Sequence, residues 1–224
     1  MRGVFIRRKL QQIWFWIESR PFCIRRWYCR RCLRGRNFTI IANNCWAGKL
    51  YQYLDMPYLS PTVGLYFFAD DYIKFVQRLH YYLSLKLQFI PLEKSRHKAE
   101  LIERHQENIP IGVLDDVEIV FRHYATREEA REKWERRVKR INWNDIFIKF
   151  SRMNGCNDEH IKQFDRLSFE NKFMLNIAKC PTYPWEVYWE GPQNEHEILL
   201  DTTPFPGNVS ICNLLEKPAK AYFK

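Results

Sequence analysis

The chain has 224 residues, a net charge of +10, 46% hydrophobic residues and 16% aromatic residues. That is enough apolar material for one well-packed core, and the length leaves room for one domain beside a short terminal segment. The charge excess is local, because residues 1–36 hold eleven Lys and Arg against the single acid Glu18 while the remainder carries 25 of each sign; the body is electrically ordinary, and nucleic acid is not the expected partner.

The expected organisation is a basic, aromatic-rich arm over residues 1–36 and an α/β domain over 37–224. The arm interleaves arginine with residues such as Phe5, Trp14, Trp16, Phe22 and Trp27. That mixture suits an anionic membrane surface. The competing reading is an amphipathic helix docked on its own body or on a second subunit. Its longest apolar run, Ile13–Ile17, is far short of the ~20 residues that cross a bilayer. It has no signal-peptide apolar region or cleavage site. The expectation is a cytoplasmic protein, peripheral to the inner membrane face where the arm meets lipid. Seven cysteines with one C-x-x-C pair, Cys29 and Cys32, argue for a reducing compartment. Cys23 could join that pair, but no fourth ligand stands at a usual zinc spacing. No metal and no cofactor is expected.

Past the arm, Phe38–Asn43 reads as a short apolar strand, and Ala47–Leu54 as a helix. A loop with Pro57, Ser60 and Pro61 follows, then a short strand at Gly64–Phe68. Asp70 and Asp71 open a helix to about Leu85. Glu93–Asn108 is polar, a helix or an exposed excursion. Ile111–Leu114 and Val117–Tyr124 are strands about a turn at Asp115-Asp116. Thr126-Arg127-Glu128-Glu129 is a capping-box pattern that starts a charged helix to about Ile141. Asp145–Phe150 is a strand, Asp158–Leu167 a helix, Phe173–Ile177 a strand. The tail holds Trp185–Trp189, a proline-rich stretch and Val209–Leu215. Alternating strands and helices predict a three-layer α/β/α fold with a mainly parallel or mixed sheet.

The chemistry-bearing residues gather at strand ends. Cys45 stands where the first strand hands over to a helix N-terminus, which stabilises a thiolate. Open α/β sheets place their sites at such carboxyl ends. A buried structural cysteine is the competing reading. His123 ends a second β-like run, and two such ends can lie side by side in a parallel sheet. A Cys–His pair is the minimum set for thiol nucleophilic catalysis. Asn43 or Asn44 would donate to an oxyanion, and Asn142 would orient the imidazole. Arg137 and Arg140 share one helix face and can clamp a phosphate or carboxylate. Their ordinary reading is a solvated face paired with Glu128, Glu129, Glu132 and Glu135. There is no dinucleotide or P-loop fingerprint, no G-x-S-x-G elbow and no D-x-D.

The run Asn43-Asn44-Cys45-Trp46-Ala47-Gly48, followed by Tyr51, Ser60-Pro61 and Gly64-Leu65, resembles an uncharacterised bacterial family known as exopolysaccharide biosynthesis protein, a domain of unknown function. The pattern continues through His123-Tyr124, Glu129-Ala130, Trp134, Arg137 and Arg140-Ile141-Asn142. It covers about residues 37–180. Ala47 stands where the family more often has glycine, and the basic arm is outside the resemblance. The resemblance implies a three-layer α/β domain and a place in capsule, lipopolysaccharide or other surface-polysaccharide synthesis, with no established reaction. Cys45-Trp46 also looks like the nucleophile dipeptide of papain-like enzymes. Three functions are therefore expected candidates. The first is a cysteine-dependent acyl transferase or hydrolase acting on a glycan or its glycolipid precursor. The second is a metal-independent glycosyltransferase-like protein with Arg137 and Arg140 on a nucleotide diphosphate. The third is a non-catalytic, membrane-associated assembly partner.

Overall fold

The computed structural model describes residues 24–202 and 209–216. The part of the arm before residue 24, Cys23 included, lies outside the described residues. In chain order the elements are α1 (residues 24–32), β1 (Thr39–Ala42), α2 (Trp46–Leu54), α3 (Ala69–Gln77), α4 (Leu79–Ser84), β2 (Gln88–Ile90), a 3-10 turn at Leu92–Lys94, α5 (Lys98–Glu103), β3 (Ile111–Leu114), β4 (Val117–Val120), α6 (Arg127–Val138), β5 (Ile146–Ser151), α7 (Asp158–Asp165), β6 (Lys172–Asn176), β7 (Glu186–Tyr188) and α8 (Ile211–Glu216).

Four strands form a parallel sheet in the order β1-β5-β6-β7. Its strands are near-continuous apolar runs because both faces are covered. Side chains alternate between two cores, as the two-residue period requires. Ile41, Ile148, Phe150 and Met174 face one core, with α3, α4, α6 and α7. Ile40, Ala42, Phe147, Phe173 and Leu175 face the other, with α1, α2 and α8. This is the expected three-layer α/β/α arrangement.

The sheet expectation needs one correction. β2, β3 and β4 form a separate antiparallel sheet, so the strand before His123 does not belong to the parallel one. The turn at Asp115, with φ +56°, folds β3 directly back on β4, whereas a parallel neighbour would need a crossover. Buried Asp71 on α3 fastens this sheet: it accepts from the Glu118 backbone N–H at 2.9 Å and pairs with Arg96 and His97.

Other differences are local. The strand predicted at Gly64–Phe68 is an extended strap with a single bridge, Tyr66 to Val120. The helix predicted from Asp70 to Leu85 is two helices, broken at Arg78, whose φ of −128° and ψ of 42° leave the helical region. The break keeps Phe75, Leu79, Tyr82 and Leu83 in one core. The predicted polar segment from Glu93 contains only the 3-10 turn and α5. The cap at Thr126 forms by half: Oγ1 accepts from Glu129 N at 3.1 Å, while the Glu129 carboxylate accepts from Ala125 N and not from Thr126. A capping box, Asn157 with His160, opens α7.

The charge boundary at residue 36 is not a packing boundary. Cys29 and Leu33 belong to the α2 side of the core. Arg36 forms a two-pronged pair with Asp145, at 2.9 and 2.8 Å. Cys212 of α8 lies within hydrogen-bond reach of Cys29 and Cys32. The six described cysteines are all free thiols.

Candidate functional site

β1 ends at Ala42, and the next three residues turn the chain into α2. Both asparagines of that turn are committed to the scaffold. Asn43 Nδ2 donates to Ser151 O at 3.1 Å and its Oδ1 accepts from Ser151 N at 3.0 Å, stitching the ends of β1 and β5. Asn44 Oδ1 accepts from Trp46 N and from Lys149 Nζ, each at 3.1 Å, and Nδ2 donates to Asp201 at 2.8 Å. Their amides therefore serve the turn and not an oxyanion, correcting the role expected for them. Cys45 is the N-cap residue of α2, and its side chain does not cap the helix. The thiol instead donates to Leu65 O at 3.6 Å.

Leu65 belongs to the strap, and the strap joins the two sheets. His123 N donates to Gly64 O at 3.0 Å, Tyr66 and Val120 exchange backbone bonds at 2.9 Å, and Phe67 N donates to Asn43 O at 2.9 Å. One extended segment thus ties the loop after β4 to the carboxyl end of β1. Gly64 makes the close approach possible: its φ is +79°, and a Cβ there would stand 3.1 Å from the Tyr124 ring. This strap, and not sheet adjacency, brings His123 to Cys45.

Two cavities meet at these residues. A cavity of about 440 Å³ is lined by Asn44, Cys45, Lys49, Tyr66, Arg104, Arg122, His123 and the segment Glu197–Thr202, among others. A second, of about 300 Å³, is lined by Cys45, Lys49, Tyr58, Gly64, His123, Tyr124, Lys133 and Arg137, among others. Cys45, Lys49 and His123 border both. Among the described residues no hydrogen bond joins Cys45 to His123. Burial pushes the Cys45 thiol up to about 11, against the pull of Arg122 and the lysines. Burial, together with Arg122 and Lys49, holds His123 below the usual histidine range. The resting pair is a neutral thiol and a neutral imidazole, so the thiolate that the helix N-terminus would favour is outweighed by desolvation.

The groove is cationic. Arg122, Lys49 and the His123 ring are exposed and make no side-chain hydrogen bond among the described residues. Of the two carboxylates in the lining, Glu197 accepts from Asn154 N at 3.1 Å. The other, Asp201, is buried and pairs with Lys149, a fully buried lysine on β5. Burial would raise the Asp201 carboxyl, but Lys149, Ser151 and Asn44 together hold it below its ordinary value.

The remaining predicted residues divide. Arg137 is in the smaller cavity but buried, bonded to Val63 O and to the Tyr124 hydroxyl. It does not lie on a solvated face paired with glutamates. Arg140 is exposed, reaches Tyr58 O at 3.5 Å and lines neither cavity. Asn142 stands at the amino edge of the parallel sheet: its N–H donates to Thr39 Oγ1 at 2.9 Å and its amide to Asn37 O. It is therefore at the far end of the sheet from His123 and does not orient it. Sequence reading missed Lys49, Arg122 and Lys133. Lys49 alone carried a signal, since it follows Cys45 by one helical turn.

Among the described residues no group of three or more His, Cys, Asp and Glu is arranged to hold a metal ion. None of their helices is long and apolar enough to cross a membrane. A model of a domain of unknown function matches residues 22–206, extending into the basic arm further than the motif resemblance. An uncharacterized protein of Haemophilus influenzae is 30% identical over 169 residues, 75% of this chain and 76% of that protein. The groove, the strap and the turn at Cys45 all fall inside the matched span, and the chain belongs to the domain-of-unknown-function family DUF1919.

Proposed function

We propose that the groove is the active site of a transferase acting on a glycan or glycolipid precursor in bacterial surface-polysaccharide synthesis. The reaction is glycosyltransferase-like, with His123 as the base. One observation carries this reading: an imidazole held neutral, with no side-chain partner among the described residues, stands where two cavities meet, beside Lys49 and Arg122. His123 takes the proton of an acceptor hydroxyl. That oxygen bonds to the anomeric carbon of the donor, and an anionic leaving group departs with the bonding electron pair. Lys49, which borders both cavities, holds the charge that develops. Cys45 lines the wall as a neutral thiol. The polysaccharide assignment rests on the motif resemblance around Cys45 and His123.

A second reading, acyl transfer or hydrolysis through Cys45, is favoured by the position of that thiol at the N-cap of α2 in both cavities. In either reading α1 would hold the groove beside an anionic membrane. Ile24 and Trp27 are exposed, and Arg31 and Arg34 line a cleft against the end of α2.

Gene replacement with His123→Ala and Cys45→Ser, followed by quantitation of surface polysaccharide, separates these outcomes. His123→Ala is expected to remove most of the product, since a general base contributes ~10²–10⁴-fold. Cys45→Ser is expected to remain within about twofold, because a neutral wall residue makes no bond that the serine lacks. Comparable loss in Cys45→Ser selects the thiol reading. Normal product in both variants, at normal protein levels, overturns catalysis and leaves the assembly-partner role.

A further inference from the structure

Arg137 is 6% exposed, yet among the described residues no carboxylate pairs with it. One guanidinium nitrogen, Nη1, donates to Val63 O at 3.0 Å and to the Tyr124 hydroxyl. The Tyr58 ring lies 5.0 Å from its Cζ. The rest of its N–H fork has no hydrogen-bond partner among the described residues, and Arg137 is one of the residues that line the smaller cavity. A buried cation without a counter-ion is costly and is seldom kept without one. Lys49 and Lys133 share the lining, and among the described residues no carboxylate does. The Lys133 ammonium is ion-paired to Glu129, which lies outside that lining.

We infer that the smaller cavity is a phosphoryl subsite built on Arg137, Lys49 and Lys133. The donor of the proposed reaction enters it by a phosphate or diphosphate group. The inference rests on the reading of this groove as an active site, and it adds the class of the donor and its direction of entry. Three cations around one cavity match a multiply charged oxyanion better than a single carboxylate, and a planar fork pairs with two phosphate oxygens at once. A volume of about 300 Å³ leaves space for a phosphoryl group and part of what it carries. Gly48 keeps the wall close, since a Cβ there would stand 2.8 Å from Val63 Cγ1. His123 lies on the border with the larger cavity, where Gln106, accepting from the Tyr66 hydroxyl at 2.7 Å, keeps its amide N–H for an acceptor glycan. Donor phosphate and acceptor hydroxyl then approach His123 from opposite sides.

The test is calorimetric titration of the full chain with inorganic pyrophosphate, orthophosphate and malonate at low salt. Pyrophosphate or orthophosphate is expected to bind one site, and the tighter of the two tells a diphosphate donor from a monophosphate one. Arg137→Lys and Lys133→Ala are expected to weaken it at least about tenfold, the scale of one charged hydrogen bond. Lys133 is partly exposed, so its variant keeps the test valid where the Arg137 variant fails to fold. Arg104→Ala, in the larger cavity, is expected to stay within about twofold. Absence of phosphate binding, malonate binding as tightly, or equal weakening by Arg104→Ala overturns the subsite. His123→Ala keeps the two claims apart: it should leave pyrophosphate binding intact. Intact binding with normal polysaccharide in His123→Ala defeats the transferase reading and spares the subsite. Lost polysaccharide in His123→Ala without any phosphate binding does the reverse.

Discussion

Lys149 and Asp201 place two unlike charges beneath the groove with 0% and 1% side-chain exposure. Burial works against both charges, lowering Lys149 and opposing ionisation of Asp201, and their mutual contact with the bonds from Ser151 and Asn44 offsets it. Removing one partner strands the other, so Asp201→Asn is expected to cost about 3–5 kcal/mol in denaturant unfolding. Lys149→Met with Asp201→Leu should recover stability relative to that single variant. The Asp201 carboxyl titrates below its ordinary value in the folded state. Its contribution is therefore present above the unfolded pKa of ~3.9 and is lost as pH falls through the folded value. His123 acts in the same direction at a higher pH. Its folded pKa is depressed, so the unfolded chain binds more protons below ~6.5, and acidification through that range weakens the fold slightly at this solvent-exposed group. Catalysis by neutral His123 should persist below the usual histidine range and fall only as pH drops through its lowered pKa. Cys45, pushed to about 11, should alkylate slowly at neutral pH and accelerate only in strong base, as followed by mass spectrometry. Fast reaction of Cys45 near pH 7 that slows in His123→Ala would restore the thiol reading. Cys45 and His123 were legible as candidates in residue type and position; the route that brings them to shared cavities was not, because it runs through the strap and not through one sheet. Their charge states were not, because desolvation depends on what covers them.

At the scale of elements, the strap over residues 64–67 has the most consequence. It is short, it has one bridge, and its pairings hold the loop after β4 against the end of β1. Gly64→Ala meets both the left-handed backbone and the Tyr124 ring at 3.1 Å. It is expected to cost about 1–3 kcal/mol, and to weaken ligand binding in the groove more than Asn157→Ala does. Asn157→Ala, which removes the cap of α7 away from the groove, should cost about 1 kcal/mol and leave ligand binding unchanged. The strands of the parallel sheet were legible because buried strands are continuous apolar runs. The helices after Thr126 and Asn157 were legible because their caps or apolar spacing are local. The strap was misread as a strand because Gly64–Phe68 has strand composition, while its single bridge depends on where β4 ends. The break at Arg78 has no glycine or proline to mark it, and it follows from packing on both sides.

For the whole molecule, the question is how the basic end belongs to the body. Leu33 is 2% exposed within the α2 side of the core, so Leu33→Ala is expected to cost about 2–5 kcal/mol by thermal unfolding. Truncation at residue 36 should therefore destabilise the domain as well as remove charge. Sedimentation with vesicles containing anionic lipid tests the membrane proposal. Arg31→Glu with Arg34→Glu should release the protein, and raised salt should do the same. Binding unchanged by both would reject α1 as the docking element.

By itself the sequence determined the layered α/β class, the parallel strands, and the candidacy of Cys45 and His123, because apolar periodicity, caps and strand-end position are properties of neighbouring residues. Only the tertiary structure decided the second sheet, the cationic groove and the separation of Asn142 from it. Lys49, Arg122 and the α6 pair Lys133 and Arg137 come from three separate stretches of the chain, and each alone reads as a solvated charge. Their meaning comes from converging on two cavities, where among the described residues Lys49, Arg122 and Arg137 meet no carboxylate partner and Lys133 pairs with Glu129 from outside the lining, and that convergence is set by long-range packing.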